Sequence, residues 1–400
     1  MEQNIEKYDL IIIGASIAGN YLTYLLSESN LRIAVIEDHE EIGLPFQCAG
    51  IVSQKLIQLI ELPKEIVLNR VNTAKIVSPS GNFINLSGNE RPYVVDRIKL
   101  DRLFYNKVKD NPNITYYLGE RYKSFEYRID DGKKYLLIET SKRKIIAKML
   151  IGCDGPLSLV GKQLKVKNDV IYASQIRIKA KFYDHKAAMY FNPKWKQLFG
   201  WIVPEGNRIY RIGIASAKDV NKYFKHFLNV LNIDIKDRID QQGGIIPYGV
   251  MNKLAFDNIL LLGDAAGQVK ATTGGGIIML LTAAKYASNC IHRCFEDENF
   301  SKRLIQKYYE KSCSQTIGRE LKLHFIIRLI IENFRSKDFE IFFKIIKENK
   351  IEHLVTFYGD MDFPKALIAK LLQNRTVLGF ILKFLMKNPV IIFKILKLLF

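Results

Sequence analysis

Residues Ile259 to Met279, ILLLGDAAGQVKATTGGGIIM, place a carboxylate and three glycines where they could hold a ligand. The apolar run Ile259 to Leu262 has the composition of a buried strand. Gly263 and Asp264 turn out of it, and Gly274, Gly275 and Gly276 open an apolar helix. Asp264, at the carboxyl end of the strand, can accept a hydroxyl hydrogen bond. The triplet, having no side chains, lets a planar group reach the first N–H groups of the helix, which lack partners within it. The pair suits a polyol attached to an electron-accepting ring. A plain strand, turn and helix has the same composition, so a second segment must decide.

The amino terminus supplies it. Tyr8 to Ile13 reads as a buried strand, followed by Gly14-Ala15-Ser16-Ile17-Ala18-Gly19 and a helical pattern over Asn20 to Ser27. Gly14 would make a tight turn and Gly19 would let helix approach strand, while Ser16, small in place of a middle glycine, leaves room for a pyrophosphate. The next strand, Arg32 to Ile36, ends at Glu37, about twenty positions beyond Gly14, where an acid binds the adenosine ribose. A generic βαβ unit with a surface glutamate is the competing account.

Other candidates are weaker. Cys48 lies in a loop, Glu41 to Ser53, punctuated by Gly43, Pro45 and Gly50, with no histidine or lysine beside it to activate a thiolate. Arg97, in the first turn of a helix over Asp96 to Lys109, could reach a phosphate or stay solvated. Asp154, after the strand ending at Ile151, reads as organising a turn rather than doing chemistry. The five cysteines have no CxxC spacing and no ligand-spaced histidine, so neither a disulfide framework nor a metal site is expected.

The elements that position these residues fall into three groups. Fully apolar strands mark a parallel, doubly covered sheet. Gln175 to Phe182 instead alternates, with Ile176, Ile178, Ala180 and Phe182 opposite Gln175, Arg177, Lys179 and Lys181, as in a half-buried antiparallel strand. Strands at Met189 to Phe191, Phe199 to Val203 and Arg208 to Ala215 extend that second sheet, which also takes a hairpin from residues 71–95. Three strand-like runs fill Ile114 to Ile151. The expected organisation is a discontinuous nucleotide-binding domain (1–70, 96–170 and 250–300), an antiparallel substrate domain (71–95 and 171–249) and a helical region (301–400). Trp195, Phe199 and Trp201 either line an apolar tunnel or fill an ordinary core.

Bulk properties narrow the setting. With 400 residues, 48% apolar, the chain buries a large core; a net charge of +19 permits nucleic acid, an anionic membrane or an anionic substrate. No nucleic-acid-binding module is recognisable. The first apolar run is too short for a signal-peptide core, so a cytoplasmic location is expected. From Lys365 to Phe400 there are seven basic residues and no acidic one. Lys383, Lys387, Lys394 and Lys397 fall within an arc of about 80° when wound as a helix, with Pro389 kinking or dividing it. That pattern suits a helix pair in the interface of an anionic membrane, and equally a terminal helix with a solvated lysine edge.

On these residues the sequence resembles the geranylgeranyl reductase family of flavoproteins, and within it the archaeal digeranylgeranylglycerophospholipid reductases. Gly263 to Ile277, GDAAGQVKATTGGGI, is similar to that family's carboxy-proximal FAD signature, PFQCAGIVS (Pro45 to Ser53) to its cysteine-containing flavin loop, and GWIVP (Gly200 to Pro204) with Gly213-Ile214-Ala215 to its substrate-cavity motif. The likeness runs from residue 8 to about 295. Ser16, Ala49, Ala215 and Ala271 depart from the usual pattern. The resemblance implies an α/β fold like that of p-hydroxybenzoate hydroxylase: a Rossmann-type parallel sheet holding FAD, an interleaved antiparallel substrate sheet and a C-terminal helical region. It implies FAD contacts at Ala15, Gly19, Glu37, Cys48, Ala49, Ile51, Arg97, Arg121, Asp264, Gly276 and Ile277, alongside Gly14, Ser16 and Gly275. Trp201, Pro204 and Gly213 would bind substrate.

The implied reaction is saturation of C=C bonds in a geranylgeranyl chain, with hydride from reduced FAD and a proton from a donor for which Cys48 and Tyr248 are candidates. NAD(P)H or a ferredoxin would supply electrons. The rival accounts are a flavin monooxygenase or halogenase of the same fold, and a membrane flavoprotein passing electrons to quinone.

Overall fold

A computed structural model of the chain describes residues 5–251 and 253–399. Its first layer is an eight-stranded sheet whose parallel strands run in the order Ile259–Leu261, Lys144–Gly152, Glu6–Ile13 (β1), Ile33–Ile36 (β2) and Ile114–Tyr117. Leu10, Ile11 and Ile12 in β1, and Ile259 to Leu261, are wholly buried, as a sheet covered on both faces requires. Ile17–Leu25 (α1) and the helix Ile277–Glu296 pack together over it.

Register explains the convergence of distant segments. Ile13 lies beside Gly152 and Ile36, and Gly152 lies beside Leu261. The residues that follow these four strand ends, Gly14, Glu37, Asp154 and Asp264, therefore emerge along one carboxyl edge, where the crevice of an open α/β sheet forms.

The second layer is a seven-stranded sheet in the order Arg238–Pro247, Val170–Lys179, Ile209–Ser216, Gly200–Gly206, Lys186–Tyr190, Thr73–Val77 and Phe83–Leu86. It is antiparallel except between Lys186–Tyr190 and Thr73–Val77. Ile176 and Ile178 pack with Ile212, Ile214 and Phe227 on the face away from Gln175. The return strand Tyr93–Val95 does not join this sheet. It pairs with Ile51–Val52 and Val67–Arg70 in a three-stranded sheet, which ties it to the Cys48 loop.

Local differences have local causes. α1 starts at Ile17 rather than Asn20, because Ser16 is extended (φ −81°, ψ −172°) and the first turn is formed by small residues without apolar periodicity. The region 114–152 holds four strands, because the positive φ at Gly119 breaks the first run. Asp96 caps the next helix by accepting from the Lys99 N–H, so the helix spans Arg97–Val108.

The C-terminal helices pack through Leu329, Phe334, Phe339, Val377 and Phe384 against Ile84 at the edge of the second sheet. Pro389 divides the tail into Arg375–Met386 and Pro389–Leu399, bent by 103°. Among the described residues no single helix is long and apolar enough to cross a membrane.

Candidate functional site

A cavity of about 1080 Å³ opens between the carboxyl edge of the first sheet, the face of the second and residues 355–367 of the C-terminal region. At the end formed by the first sheet, Gly14 has φ +101°, and a Cβ there would stand 2.4 Å from the Cys153 carbonyl oxygen. A Cβ on Gly19 would stand 1.9 Å from the Gly14 carbonyl oxygen. Only glycine lets α1 sit this close to the turn, which leaves Ala15 to Ala18 facing the cavity. Glu37 is preorganised: its Oε2 accepts from the Ala15 N–H at 2.7 Å, and its Oε1 meets His39 Nδ1 at 2.5 Å. Arg121 lines the same end, largely exposed and 3.5 Å from Asp38.

Two polar side chains farther in keep atoms without a partner among the described residues. The Arg97 guanidinium donates to Asp101 at 2.9 Å and lies 3.6 Å from Cys48 Sγ, but its Nε is buried with no hydrogen-bond partner among the described residues. Burial alone would lower its pKa; the Asp101 carboxylate and the Cys48 sulfur hold it above the ordinary value. Asp264, half-buried on the cavity wall, accepts no side-chain hydrogen bond from a described residue. Its removal from water pushes its pKa up from 3.8 to about 6, against the opposing pull of Arg97. An unmatched donor and an unmatched acceptor across one crevice fit a ligand that offers phosphate oxygens and hydroxyl groups.

The Gly274-Gly275-Gly276 loop borders the cavity, with Gly276 preceding the helix that begins at Ile277. A Cβ on Gly276 would lie 3.2 Å from the Gln268 carbonyl oxygen and 3.5 Å from Asp264 Oδ1. Opposite are Cys48, Ala49 and Ile51. That loop is held by groups distant in sequence. The wholly buried Arg211 donates to the Ala49 carbonyl at 2.9 Å and the Val95 carbonyl at 3.2 Å, with Glu205 as its counter-ion at 3.0 Å. Gln175 donates to the Cys48 carbonyl at 3.2 Å and accepts from the Trp201 indole at 2.8 Å. Burial raises the Glu205 pKa, but Arg177 and Arg211 outweigh it and hold the carboxyl below its ordinary value.

The far wall is apolar, formed by Met189, Leu198, Phe199, Trp201, Val203 and Ile246. Several expected site residues are not on it. Pro204 is buried beyond the wall, with its carbonyl accepting from Asn69. Gly213 acts from behind: a Cβ there would meet the Trp201 ring at 2.5 Å, so glycine makes room for the indole that reaches the cavity. Trp195 is core, donating to the Tyr190 carbonyl and packed on Phe227. Tyr248 also stands outside: its hydroxyl donates to Glu332, its ring meets Phe325, and burial together with that carboxylate drives its pKa far up. Asp154 organises its turn, accepting from Ser158 Oγ at 2.5 Å and the Val160 N–H at 3.1 Å.

This architecture and site define an FAD-dependent oxidoreductase of the p-hydroxybenzoate hydroxylase-like fold. Residues 7–227 match the FAD binding domain family, to which the chain belongs, and FAD is its cofactor. The chain is similar to digeranylgeranylglycerophospholipid reductase 1 of Methanococcoides burtonii, 27% identical over 90% of each chain. An uncharacterised protein of Methanocaldococcus jannaschii is 26% identical over 94% of this chain and 98% of its own. Among solved structures, a geranylgeranyl bacteriochlorophyll reductase-like protein from Thermoplasma acidophilum superposes with a TM-score of 0.80 at 20% identity, covering 96% of this chain and all of that one. The halogenase PltM, in complex with FAD, gives 0.65 at 13% identity, covering 92% of this chain and 86% of its own.

Proposed function

We propose that this protein is an FAD-dependent reductase that saturates isolated C=C bonds in the geranylgeranyl chains of membrane ether-lipid precursors. One observation carries the reading: a single cavity joins the polar crevice of Arg97, Asp264 and the Gly274–Gly276 loop to the apolar wall of Phe199 and Trp201, so ring and hydrocarbon share one enclosure. The names of the similar reductases support it.

FAD, when bound and reduced, supplies the hydride equivalent. Arg97 and Asp264 would hold the phosphates and hydroxyls of its chain, and the N–H groups at the start of the helix Ile277–Glu296 would add positive potential beside the glycine loop. An isolated alkene offers no oxygen to polarise, so the apolar wall works by positioning the chain and excluding water. Of the two candidate donors, Cys48 stands on the cavity wall and is the one placed to pass a proton to the second alkene carbon; Tyr248 does not reach the cavity. An electron donor, NAD(P)H or a ferredoxin, would be needed to reduce the cofactor.

The tail supports peripheral binding to the cytoplasmic face of a membrane. Val377, Phe384 and Ile391 are buried on one side of the two terminal helices. Leu382, Met386 (77% exposed), Val390 and Phe393 (70% exposed) face outward, flanked by Lys383, Lys387, Lys394 and Lys397.

Incubation of chemically reduced holoenzyme with digeranylgeranylglycerophospholipid yields, on this reading, products heavier by two hydrogens per bond by mass spectrometry. Unchanged lipid refutes it. An oxygenated or halogenated product selects the monooxygenase class, whose fold the PltM likeness shares, and quinone reduction without alkene turnover selects an electron-transfer role.

A further inference from the structure

The cavity wall contains a buried ion pair whose partners are far apart in sequence. Lys270 belongs to the cofactor loop: its N–H donates to the Gly275 carbonyl at 3.1 Å, and its carbonyl accepts from the Gly274 N–H at 2.8 Å. Its ammonium lies 2.5 Å from Asp362 Oδ1 and 3.1 Å from the Met361 carbonyl. Asp362, in the C-terminal region, is 0% exposed and accepts from Ser53 Oγ at 2.5 Å through its other oxygen. His324 braces the junction, with Nε2 at 3.0 Å from the Asp362 carbonyl and Nδ1 at 2.6 Å from Thr272 Oγ1. Removal from water lowers the His324 pKa to about 4, so the ring is neutral at pH 7; donating from Nε2 and accepting at Nδ1 then satisfies both contacts.

Lys270 is close to the cofactor crevice. A Cβ on Gly275 would lie 3.5 Å from its ammonium, and both residues line the cavity. The helix start beyond Gly276 already contributes positive potential there. An uncompensated ammonium would add to it, favour the electron-rich form of a bound ring and make that ring a weaker reductant. An alkene without an activating carbonyl demands the opposite.

We propose that Asp362 is a positioning residue of the active site: it holds Lys270 beside the glycine loop and cancels its charge, which keeps the bound flavin strongly reducing. The inference rests on the assignment of FAD and, for the need of a low potential, on the proposed alkene substrate; its test uses no lipid.

The test is the flavin midpoint potential of holoenzyme variants, measured by spectroelectrochemistry. In Asp362→Asn the ammonium is uncompensated, and the ratio of reduced to oxidised flavin at a fixed potential rises at least tenfold, about 30 mV for a two-electron couple. In Lys270→Gln the carboxylate is uncompensated, and the ratio falls by a similar factor. The double variant, which buries neither charge, returns to within about threefold of wild type. If Asp362→Asn does not retain flavin, the downward shift in Lys270→Gln and its reversal in the double variant carry the test. Shifts of the same sign in both single variants, or none beyond threefold, overturn the proposal, because a purely structural pair has no reason to move the potential in opposite directions. Wild-type protein that purifies without flavin absorbance and fails to bind added FAD overturns the cofactor assignment as well; unmoved potentials in a yellow protein overturn this inference alone.

Discussion

Replacing Asp264 by asparagine tests whether this carboxylate holds the hydroxyl groups of the cofactor. In the apoprotein its pKa is pushed up to about 6 by removal from water, and no side chain among the described residues donates to it. Cofactor hydroxyls donate better to the ionised form, so binding should expel the proton and affinity should rise with pH until the group is ionised. At pH 5 only about a tenth of the carboxyls are charged and at pH 7 nearly all, which sets a limit of about tenfold on the gain in FAD affinity. The amide of the Asp264→Asn variant cannot titrate, so that variant should bind FAD with a flat profile over this range, about tenfold more weakly than wild type at pH 7. The folded chain also holds the proton more tightly than the unfolded chain does. Raising pH from about 3 to 7 should therefore destabilise wild-type apoprotein by about 3 kcal/mol through this group, a loss absent from the variant. Titration by flavin fluorescence quenching, with denaturant unfolding of the apoprotein, measures both. Parallel pH profiles for the two proteins would refute the reasoning.

Gly19→Ala places a methyl 1.9 Å from the Gly14 carbonyl and should cost at least about 1–3 kcal/mol in thermal unfolding, with loss of FAD binding, since helix or turn must move. Arg211→Met removes the donor to the Ala49 and Val95 carbonyls; about 3–5 kcal/mol of destabilisation by denaturant titration and a changed visible flavin spectrum are expected. Cys48→Ser should slow single-turnover alkene saturation by about a hundredfold, whereas Tyr248→Phe changes it less than about threefold; equal effects would contradict the assignment of Cys48 as donor. Exchanging Lys383, Lys387, Lys394 and Lys397 for glutamate should abolish flotation with anionic vesicles while leaving FAD binding intact, and raised salt should weaken wild-type binding in the same way.

The nucleotide edge was legible because each of its residues follows directly on a strand of recognisable composition. Gly14, Glu37, Asp154 and Asp264 follow four buried apolar runs, and parallel pairing in register must bring such strand ends together. The alternation of residues 175–182 likewise announced a second sheet. Local pattern failed where the outcome depended on depth in the fold. Trp195 and Trp201 are both buried aromatics, yet of the two only Trp201, on a strand, reaches the cavity, because Gly213 clears space for its ring while Trp195, in a short turn, is packed on Phe227. Pro204 and Tyr248 likewise do not line the cavity.

By itself the sequence determined which segments could bind FAD, since glycine turns, a strand-end carboxylate and a helix start carry their chemistry within a few residues. Only the tertiary structure decided what braces them. Arg211 reaches Ala49, Asp362 reaches Lys270 and Ser53, and Tyr248 is drawn away to Glu332, through contacts between residues far apart in the chain. The physical reason is that burial makes an unpaired charge or hydroxyl costly, so each such group takes the partner that packing brings within reach, and local sequence does not encode which partner that is.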